Sequence, residues 1–310
     1  MILAGDIGGT STRLALFDGD PTPEALEVYR SREHDGLEEM VGAFLRAHPA
    51  PVERAAFGVA GPVRGGRCVD TTNLAWPVEG ASVAQAAGVA HVRLLNDLEA
   101  NAYGLAALGP DDLHTLNAGA PDADGNIAVV SAGTGLGQAG LYWDGERHHV
   151  FATEGGHVDF APRNDEEDGL RRFLASELDH VSYERVCSGL GLVNVHRYLA
   201  GGRELDAPAI TRAALEGDDT ASRALDLMIS IYGAQAGNAA LTLMATGGVY
   251  LGGGFPPRIL PRLREGGFMR AFVDKGRFRG LLERIPVHVI LNDKTALLGA
   301  ARAAAEGSST

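Results

Sequence analysis

Two glycine-rich turns of the same design constrain this chain more than any other feature. The first, at residues 5–10, reads GDIGGT, and the second, about 125 residues later at 131–137, reads SAGTGLG. Each turn lies between two short apolar runs that are typical of β-strands, so each is predicted to be the tip of a β-hairpin. A tip of glycine and threonine lets backbone N–H groups and a hydroxyl approach an anion closely. The sequence therefore predicts two half-domains that bind a polyphosphate between their hairpins.

Length, charge and cysteine content limit the possible partners. A chain of 310 residues, 45% of them hydrophobic, is long enough for two packed domains. Its net charge of −13 disfavours a nucleic-acid or anionic-membrane surface, because there is no excess of cations to release counterions. Cys68 and Cys187 are too few for a disulfide framework, and no apolar run has the length of an export signal or a membrane span. We therefore expect a cytoplasmic protein with no nucleic-acid or membrane partner.

Strands alternate with helices along both halves of the chain, which is the pattern of α/β domains with mixed sheets. The predicted helices cover 37–48, 80–87, a segment from 97, 221–245, a segment from about 257, and 295–305. Beyond the two hairpins, the predicted strands are 55–60, 92–95, 249–251 and 286–291. A break at Gly109-Pro110 interrupts the third helix and predicts a domain boundary. We expect a small domain of residues 1–109 and 292–310 and a large domain of residues 110–291.

The commonest nucleotide-binding motifs do not explain these turns. A P-loop requires a lysine after its glycines, and the chain's two lysines, Lys275 and Lys294, lie elsewhere. Gly135, Gly137 and Gly140 spell the dinucleotide pattern GxGxxG, but an aromatic, turn-like stretch follows them where a helix should begin. A tight hairpin without a ligand is the remaining alternative. A third glycine cluster, at 252–254 after another strand, favours phosphate binding instead.

Asn96 and Asp97 directly follow a predicted strand and form a second candidate site. Asp97 lies at or near the N-cap of the next helix, and a capping aspartate is one interpretation. The other interpretation is a general base, because a carboxylate at a helix N-terminus stays ionised and accepts the proton of a substrate hydroxyl. Both roles are compatible. Asn96 adds an amide at the same strand end, where α/β proteins usually bind ligands.

Residues 154–159, which read EGGHVD, place polar groups and glycines in an apolar neighbourhood. A metal site is one interpretation, although its candidate ligands lack the helical i, i+4 spacing that supports such a site. Those ligands would be His148, His149, Glu154 and His157. A polar pocket floor that binds hydroxyl groups fits better, because carboxylates accept and an imidazole donates hydrogen bonds. Glu184 is either a surface charge on a helix, which the sequence alone favours, or a functional carboxylate.

Five motifs in a fixed order carry a family resemblance. They are GDIGGT at 5–10, LND at 95–97, AGTGLG at 132–137, EGGHVDFAP at 154–162 and ERVCSG at 184–189. Together they resemble the bacterial glucokinases of the hexokinase/actin/Hsp70 superfamily, and the resemblance extends through residues 292–300. The first motif marks only the superfamily, whereas the fourth is far more specific. The Cys/His zinc signature of the repressor/ORF/kinase branch is missing, since no cysteine follows His157 until Cys187. That places the chain in the other glucokinase branch.

The resemblance implies a fold and a role for individual residues. The fold would be the two-domain actin-like ATPase (ribonuclease H-like) fold, an α/β fold with mixed sheets and a cleft between the domains. Asp97 would be the catalytic base, and Asp6 would hold the nucleotide's Mg²⁺ through water. The sugar hydroxyls would be bound by Asn96, Asp97, Glu154, His157 and Glu184. The nucleotide would be bound by Gly5, Asp6, Ile7, Gly8, Gly9, Thr10, Gly133, Thr134, Gly135, Gly253 and Gly254.

The activity implied by the resemblance is ATP-dependent phosphorylation of the 6-hydroxyl of D-glucose, with Mg²⁺ as cofactor and a homodimer as the assembly. Closure around the hexose would keep water from accepting the phosphoryl group. Two alternatives stay open. One is a kinase of fructose, mannose or N-acetylmannosamine, and the other is a non-enzymatic sugar-sensing or actin-like assembly protein. Asn73 lies in a loop, TTNLAW at 71–76, that resembles a sugar-adjacent loop.

Overall fold

The computed structural model describes residues 1–71, 74–120, 125–202 and 205–306. They form two compact units: unit 1 is Met1–Pro110 with Asn292–Thr310, and unit 2 is Asp111–Leu291. Asn73, expected near the sugar, lies outside the described residues. Along the described ranges, no helix is both long and apolar enough to cross a membrane.

Unit 1 is built on a five-stranded mixed sheet. The strands are β1 (Ile2–Ile7), β2 (Ser11–Phe17), β3 (Ala25–Arg30), β4 (Arg54–Val59), the two-residue pair β5 (Arg67–Cys68) and β6 (Val78–Glu79), and β7 (Val92–Asn96). The main sheet has the order β3-β2-β1-β4-β7, with β1, β4 and β7 parallel and the two hairpin pairings antiparallel. The helices are α1 (Leu37–Ala47), α2 (Gly80–Ala87) and α3 (Asp97–Gly104).

Side chains of β1 alternate between two packed layers, as the period of a strand requires. Leu3 and Ile7 are fully buried with Phe44 of α1 in one cluster. Ala4 faces a second cluster, where it packs with Leu297. Both faces of the sheet are therefore covered, and the chain's C-terminal end supplies part of the second layer.

Unit 2 contains a six-stranded mixed sheet. Its strands are β8 (Leu113–Asn117), β9 (Ile127–Ala132), β10 (Leu136–Trp143), β11 (His148–Thr153), β12 (Gly248–Gly252) and β13 (Val287–Ile290), in the order β11-β10-β9-β12-β13-β8. Its helices are α4 (Asp165–Ala175), α5 (Gly189–Leu199), α6 (Ala207–Glu216), α7 (Asp219–Leu243), α8 (Leu260–Leu263), α9 (Gly267–Val273) and α10 (Arg279–Leu282). The last helix of the chain, α11 (Thr295–Glu306), belongs to unit 1. Helix α7 runs through the core of unit 2, with Met228 and Tyr232 fully buried.

The structure confirms both hairpins and corrects two helix boundaries. Helix α7 ends at Leu243, before the glycines expected to end it, because Met244 adopts a left-handed conformation with φ of 47°. The helix expected from about Pro257 is limited to the four residues of α8. Gly266, with φ of 87°, prevents the helix from continuing, and α9 begins at the next residue.

Candidate active site

The tip of the first hairpin is fixed by its own backbone and by Ser31. The N–H of Gly8 donates to the carbonyl of Ser11 (3.0 Å), and the Ser31 hydroxyl donates to the carbonyl of Gly8 (2.6 Å). Thr10 is exposed at this tip. Gly5 and Ile7 lie inside β1 rather than at the tip. A side chain at Gly5 would clash with the ring of Phe57, and the Ile7 side chain is fully buried, so only the backbone of these two residues is available to a ligand.

Asp6 lies beside a cation that the sequence alone did not indicate. Arg13, opposite it on β2, places Nη1 3.4 Å from the Asp6 carboxylate, and its Nη2 donates to Asp293 Oδ2 at 2.8 Å. Burial raises the pKa of Asp6, and the guanidinium of Arg13 opposes that rise. The ionised carboxylate is therefore held where a second cation would stabilise it further.

The donor set at Asp6 fits Mg²⁺ that arrives with a nucleotide. Mg²⁺ is usually bound through one or two carboxylates together with substrate phosphates, and it keeps several of its waters. Within the described part of the chain, no group of three or more His, Cys, Asp or Glu side chains could hold a metal. A single carboxylate at Asp6 matches the first arrangement and not a resident all-protein site.

Asn96, and not Asp97, caps helix α3. The Asn96 side chain accepts from the N–H of Leu98 (2.8 Å) and from that of Glu99, and the Glu99 carboxylate accepts from the N–H of Asn96 (2.9 Å), so Asn96 and Glu99 form a capping box. Asp97 is the first residue of the helix, half-buried, and it also accepts from Leu98 (3.0 Å). The expected position of Asp97 at the helix N-terminus is thus correct, but the capping role belongs to its neighbour.

The tip of the second hairpin lies against the start of α5. The N–H of Gly133 donates to the carbonyl of Gly135 (2.9 Å), and the N–H of Gly189 donates to the carbonyl of Gly133 (2.8 Å). Thr134 is exposed at the tip. A Cβ added at Gly133 would meet no atom within 4 Å. The fold does not need glycine at this position, and the space above it is open to a ligand.

The third glycine turn packs directly on the second hairpin. Gly253 has φ of 82°, and a side chain there would clash with the carbonyl of Ala132, which also accepts from the N–H of Phe255 (3.1 Å). A Cβ at Gly254, in contrast, would meet no atom within 4 Å. The structure therefore brings Gly253 and Gly254 beside the second hairpin, as a shared nucleotide-binding surface would require.

Leu136 is the residue on which the second turn and the hydroxyl-binding candidates meet. Its N–H donates to Glu184 Oε2 (3.1 Å), so Glu184 is not the helix surface charge that the sequence alone suggested. Its carbonyl lies against Gly156, where any side chain would clash. The side chains of Glu154 and His157, on either side of this contact, are exposed. The carboxylates of Glu154 and Glu184 thus keep acceptor capacity for a hydroxyl group.

A short antiparallel contact joins residues 158–160 to residues 181–183, and so links the segment of Glu154 and His157 to that of Glu184. The N–H of Phe160 donates to the carbonyl of Val181 (2.9 Å), and the N–H of Tyr183 donates to the carbonyl of Val158 (3.1 Å). The proposed metal ligands His148 and His149 lie on β11 with other partners, the carbonyl of Gly125 and the carboxylate of Asp144. The geometry favours the hydroxyl-binding interpretation of residues 154–157 over the metal site.

The fold defines the class of the protein. Two α/β units with mixed sheets and glycine-tipped hairpins have the actin-like ATPase fold that the family resemblance implied. The crystal structure of glucokinase from an Antarctic psychrotroph superposes with a TM-score of 0.88 at 32% identity, and the match covers 99% of both chains.

Comparison with known sequences identifies the family. The family model described as glucokinase matches residues 3–307. The chain is 40% identical to glucokinase of Nostoc punctiforme over 338 residues, which covers 98% of this chain and 99% of the relative. It is 41% identical to glucokinase of Cronobacter sakazakii over 306 residues, covering 96% and 95%. The chain belongs to the glucokinase family.

Proposed function

We propose that this protein transfers the terminal phosphoryl group of ATP to the 6-hydroxyl of D-glucose, giving glucose 6-phosphate and ADP. The bond from phosphorus to the bridging oxygen of ADP breaks as the bond to the sugar oxygen forms, and the hydroxyl proton leaves. Family membership supports this reaction. The main structural observation in its favour is the position of Leu136. Its backbone directly follows the second glycine turn and contacts both Glu184 and the Glu154–His157 segment.

The nucleotide is bound by the glycine turns. Gly133 and Gly254 leave open space where side chains would be, so backbone N–H groups can approach phosphate and adenosine there. In unit 1 the tip of Gly8, Gly9 and Thr10 binds phosphate, and Asp6 would hold Mg²⁺ through water. Bound there, Mg²⁺ would supply neutralisation of phosphate charge, which phosphoryl transfer requires in addition to alignment.

Asp97 is the general base. Asn96 and Glu99 form the cap of α3, which fixes Asp97 in the first turn of that helix. The N-terminal end of the helix favours the ionised carboxylate. Asp97 orients the 6-hydroxyl and accepts its proton late in the transfer, because a loose transition state needs alignment more than early deprotonation.

Glu154, His157, Glu184 and Asn96 bind the remaining hydroxyl groups of glucose. A site built to pair with a hydroxyl rejects an analogue that lacks it, by about 10⁴-fold or more, because the site's polar groups are then left unpaired. We also propose that the enzyme acts in the cytoplasm as a homodimer, as the resemblance to bacterial glucokinases implies. The molar mass measured by light scattering tests the assembly.

A substrate panel tests the proposed function. The purified protein is incubated with glucose, fructose, mannose or N-acetylmannosamine, each with ATP, ADP or polyphosphate, and the sugar phosphate is identified. We expect glucose 6-phosphate from glucose and ATP with the highest kcat/KM. A higher kcat/KM for another hexose would make the protein a different sugar kinase, and no product from any pair would favour a non-enzymatic role.

A further inference from the structure

A chain of polar side chains runs from Lys275 to the proposed hexose-binding segments inside unit 2. Lys275 Nζ donates to Asn238 Oδ1 (2.7 Å), and Asn238 Nδ2 donates to the hydroxyl of Tyr183 and to Oε1 of Gln235 (both 3.1 Å). Gln235, itself buried, donates to the carbonyl of Gly155 through a long hydrogen bond of 3.4 Å.

Lys275 at one end and the carbonyl of Gly155 at the other fix the direction of the hydrogen bonds between them. An ammonium group only donates, so the amide oxygen of Asn238 must face Lys275 and its NH₂ must face Tyr183 and Gln235. Gln235 then presents its oxygen to Asn238 and its NH₂ to Gly155. The protein has only two lysines. Lys275 is half-buried, and its aliphatic stem lies against Gly237.

The two ends of the chain lie in the two segments that the proposed function assigns to glucose. Gly155 lies between Glu154 and His157, and Tyr183 immediately precedes Glu184. The Gln138 side chain on β10 packs closely against the first segment, because its oxygen lies where a Cβ on Gly155 would be. Asn238 is the one point at which the hydrogen bonds toward the two segments branch in this network.

We propose that Asn238, oriented by Lys275, is a positioning residue that holds the two hexose-binding segments in register and thereby sets the affinity for glucose. This inference rests on the proposed function of those segments. Burial and the nearby Arg163 lower the pKa of Lys275, and Asp274 and Glu167 oppose that decrease.

A matched pair of amide substitutions tests the inference. Asn238→Leu keeps the shape of the side chain and removes the branch point. Asn126→Leu is the control, because the Asn126 amide also makes two hydrogen bonds at α7, donating to the carbonyl of the C-terminal residue Leu243 (2.8 Å) and accepting from the N–H of Trp143 on the sheet (2.8 Å), but within the described residues contacts neither hexose-binding segment. We expect Asn238→Leu to raise the KM for glucose by about 10-fold to 100-fold, the cost of a misplacement on the order of 1 Å, with the KM for ATP changed less than about twofold. The control should keep both KM values despite a similar loss of thermal stability.

Lys275 provides a second test that does not depend on the folding of Asn238→Leu. Lys275→Met should raise the KM for glucose in the same direction, whereas Lys275→Arg, which retains a charged donor, should restore most of the affinity. Glucose binding by calorimetry is measured in parallel. Wild-type protein that binds glucose without phosphorylating it would contradict the proposed function alone. Unchanged glucose affinity in Asn238→Leu and Lys275→Met, or equal changes for glucose and ATP, would overturn the inference.

Discussion

Glycines of the candidate site divide into those that the fold requires and those that it does not. Gly253 could not carry a side chain, because the carbonyl of Ala132 occupies the space, and a side chain at Gly135 would displace the carboxylate of Glu184. Gly133 and Gly254 meet no atom that would exclude one. We therefore propose that glycine at the second pair serves the close approach of a ligand, as phosphate binding would require.

Gly133→Ala separates these two explanations. The variant should fold with a melting temperature close to that of the wild type, because the added methyl group meets no atom within 4 Å. Its KM for ATP should rise by about tenfold or more, because the methyl group would occupy the space through which a phosphate approaches, a cost comparable to one hydrogen bond to a charged group. Thermal unfolding and steady-state kinetics measure the two quantities. An unchanged KM for ATP would remove Gly133 from the nucleotide site.

Asp6 gives a pH-dependent prediction. Burial raises its pKa, so ionisation costs stability in the folded state. The protonated carboxyl of Asp6 therefore favours the folded state at low pH. This contribution to stability is lost as the pH rises from the unfolded pKa of about 3.9 through the higher folded pKa. Asp6→Asn should therefore melt at or above the wild-type temperature near pH 7, with the difference shrinking toward pH of about 4, while activity with Mg²⁺ and ATP falls sharply.

The exposed Asp18 provides the matched control for this experiment. Asp18→Asn should change neither the melting temperature nor the activity. If Asp6→Asn melts well below the wild type at neutral pH and retains full activity, Asp6 has a structural role and not the proposed role at the nucleotide.

At the scale of elements, strand β10 positions the candidate hydroxyl-binding segments, because its first residue, Leu136, contacts both of them. The carbonyl of Leu136 lies against Gly156, and its N–H is bound by Glu184. Gly156→Ala should push the 154–157 segment away from β10, lowering glucose affinity and the melting temperature together. Gly280→Ala, on an open surface of α10, is the control and should be neutral or slightly stabilising. If Gly156→Ala binds glucose as tightly as the wild type, the contact between Leu136 and Gly156 does not position the 154–157 segment for glucose binding.

The sequence predicted the elements whose own residues determine them. The hairpins, α1, α2 and α7 have clear apolar periodicity and turn residues, and all of them form. Strands β3, β8 and β11 were not predicted, and each lies at an edge of its sheet. An edge strand pairs on one side only, and its pattern is half-exposed, so the neighbouring strand decides its conformation more than its own sequence does.

The parts of the site that were missed depend on residues far apart in the chain. Arg13 contacts Asp293 across 280 positions, and Glu184 contacts Leu136 across 48. Motif spelling indicated Asp6 and, through the family resemblance, Glu184. No local pattern could indicate that Asn238, five residues before the end of the largely buried helix α7, connects to Tyr183.

At the scale of the whole molecule, ligand binding should appear as stability. A ligand that binds only the folded state stabilises it by about 2.7 kcal/mol at 100 times its Kd. Glucose should therefore raise the melting temperature of the wild type, and an analogue lacking one hydroxyl should not at equal concentration. Glu154→Gln should reduce the glucose effect strongly. Glu216→Gln, an exposed glutamate at the end of α6, should retain it. Equal stabilisation of both variants would place Glu154 outside the sugar site.

The rate of glucose 6-phosphate formation by wild-type protein and Asp97→Asn, measured side by side at saturating ATP, tests the central claim most directly. The account predicts that turnover falls by about 10²–10⁴, the range of general-base effects, while the KM for glucose stays within a few-fold. Turnover that survives the substitution nearly intact would contradict the assignment of Asp97 as the base.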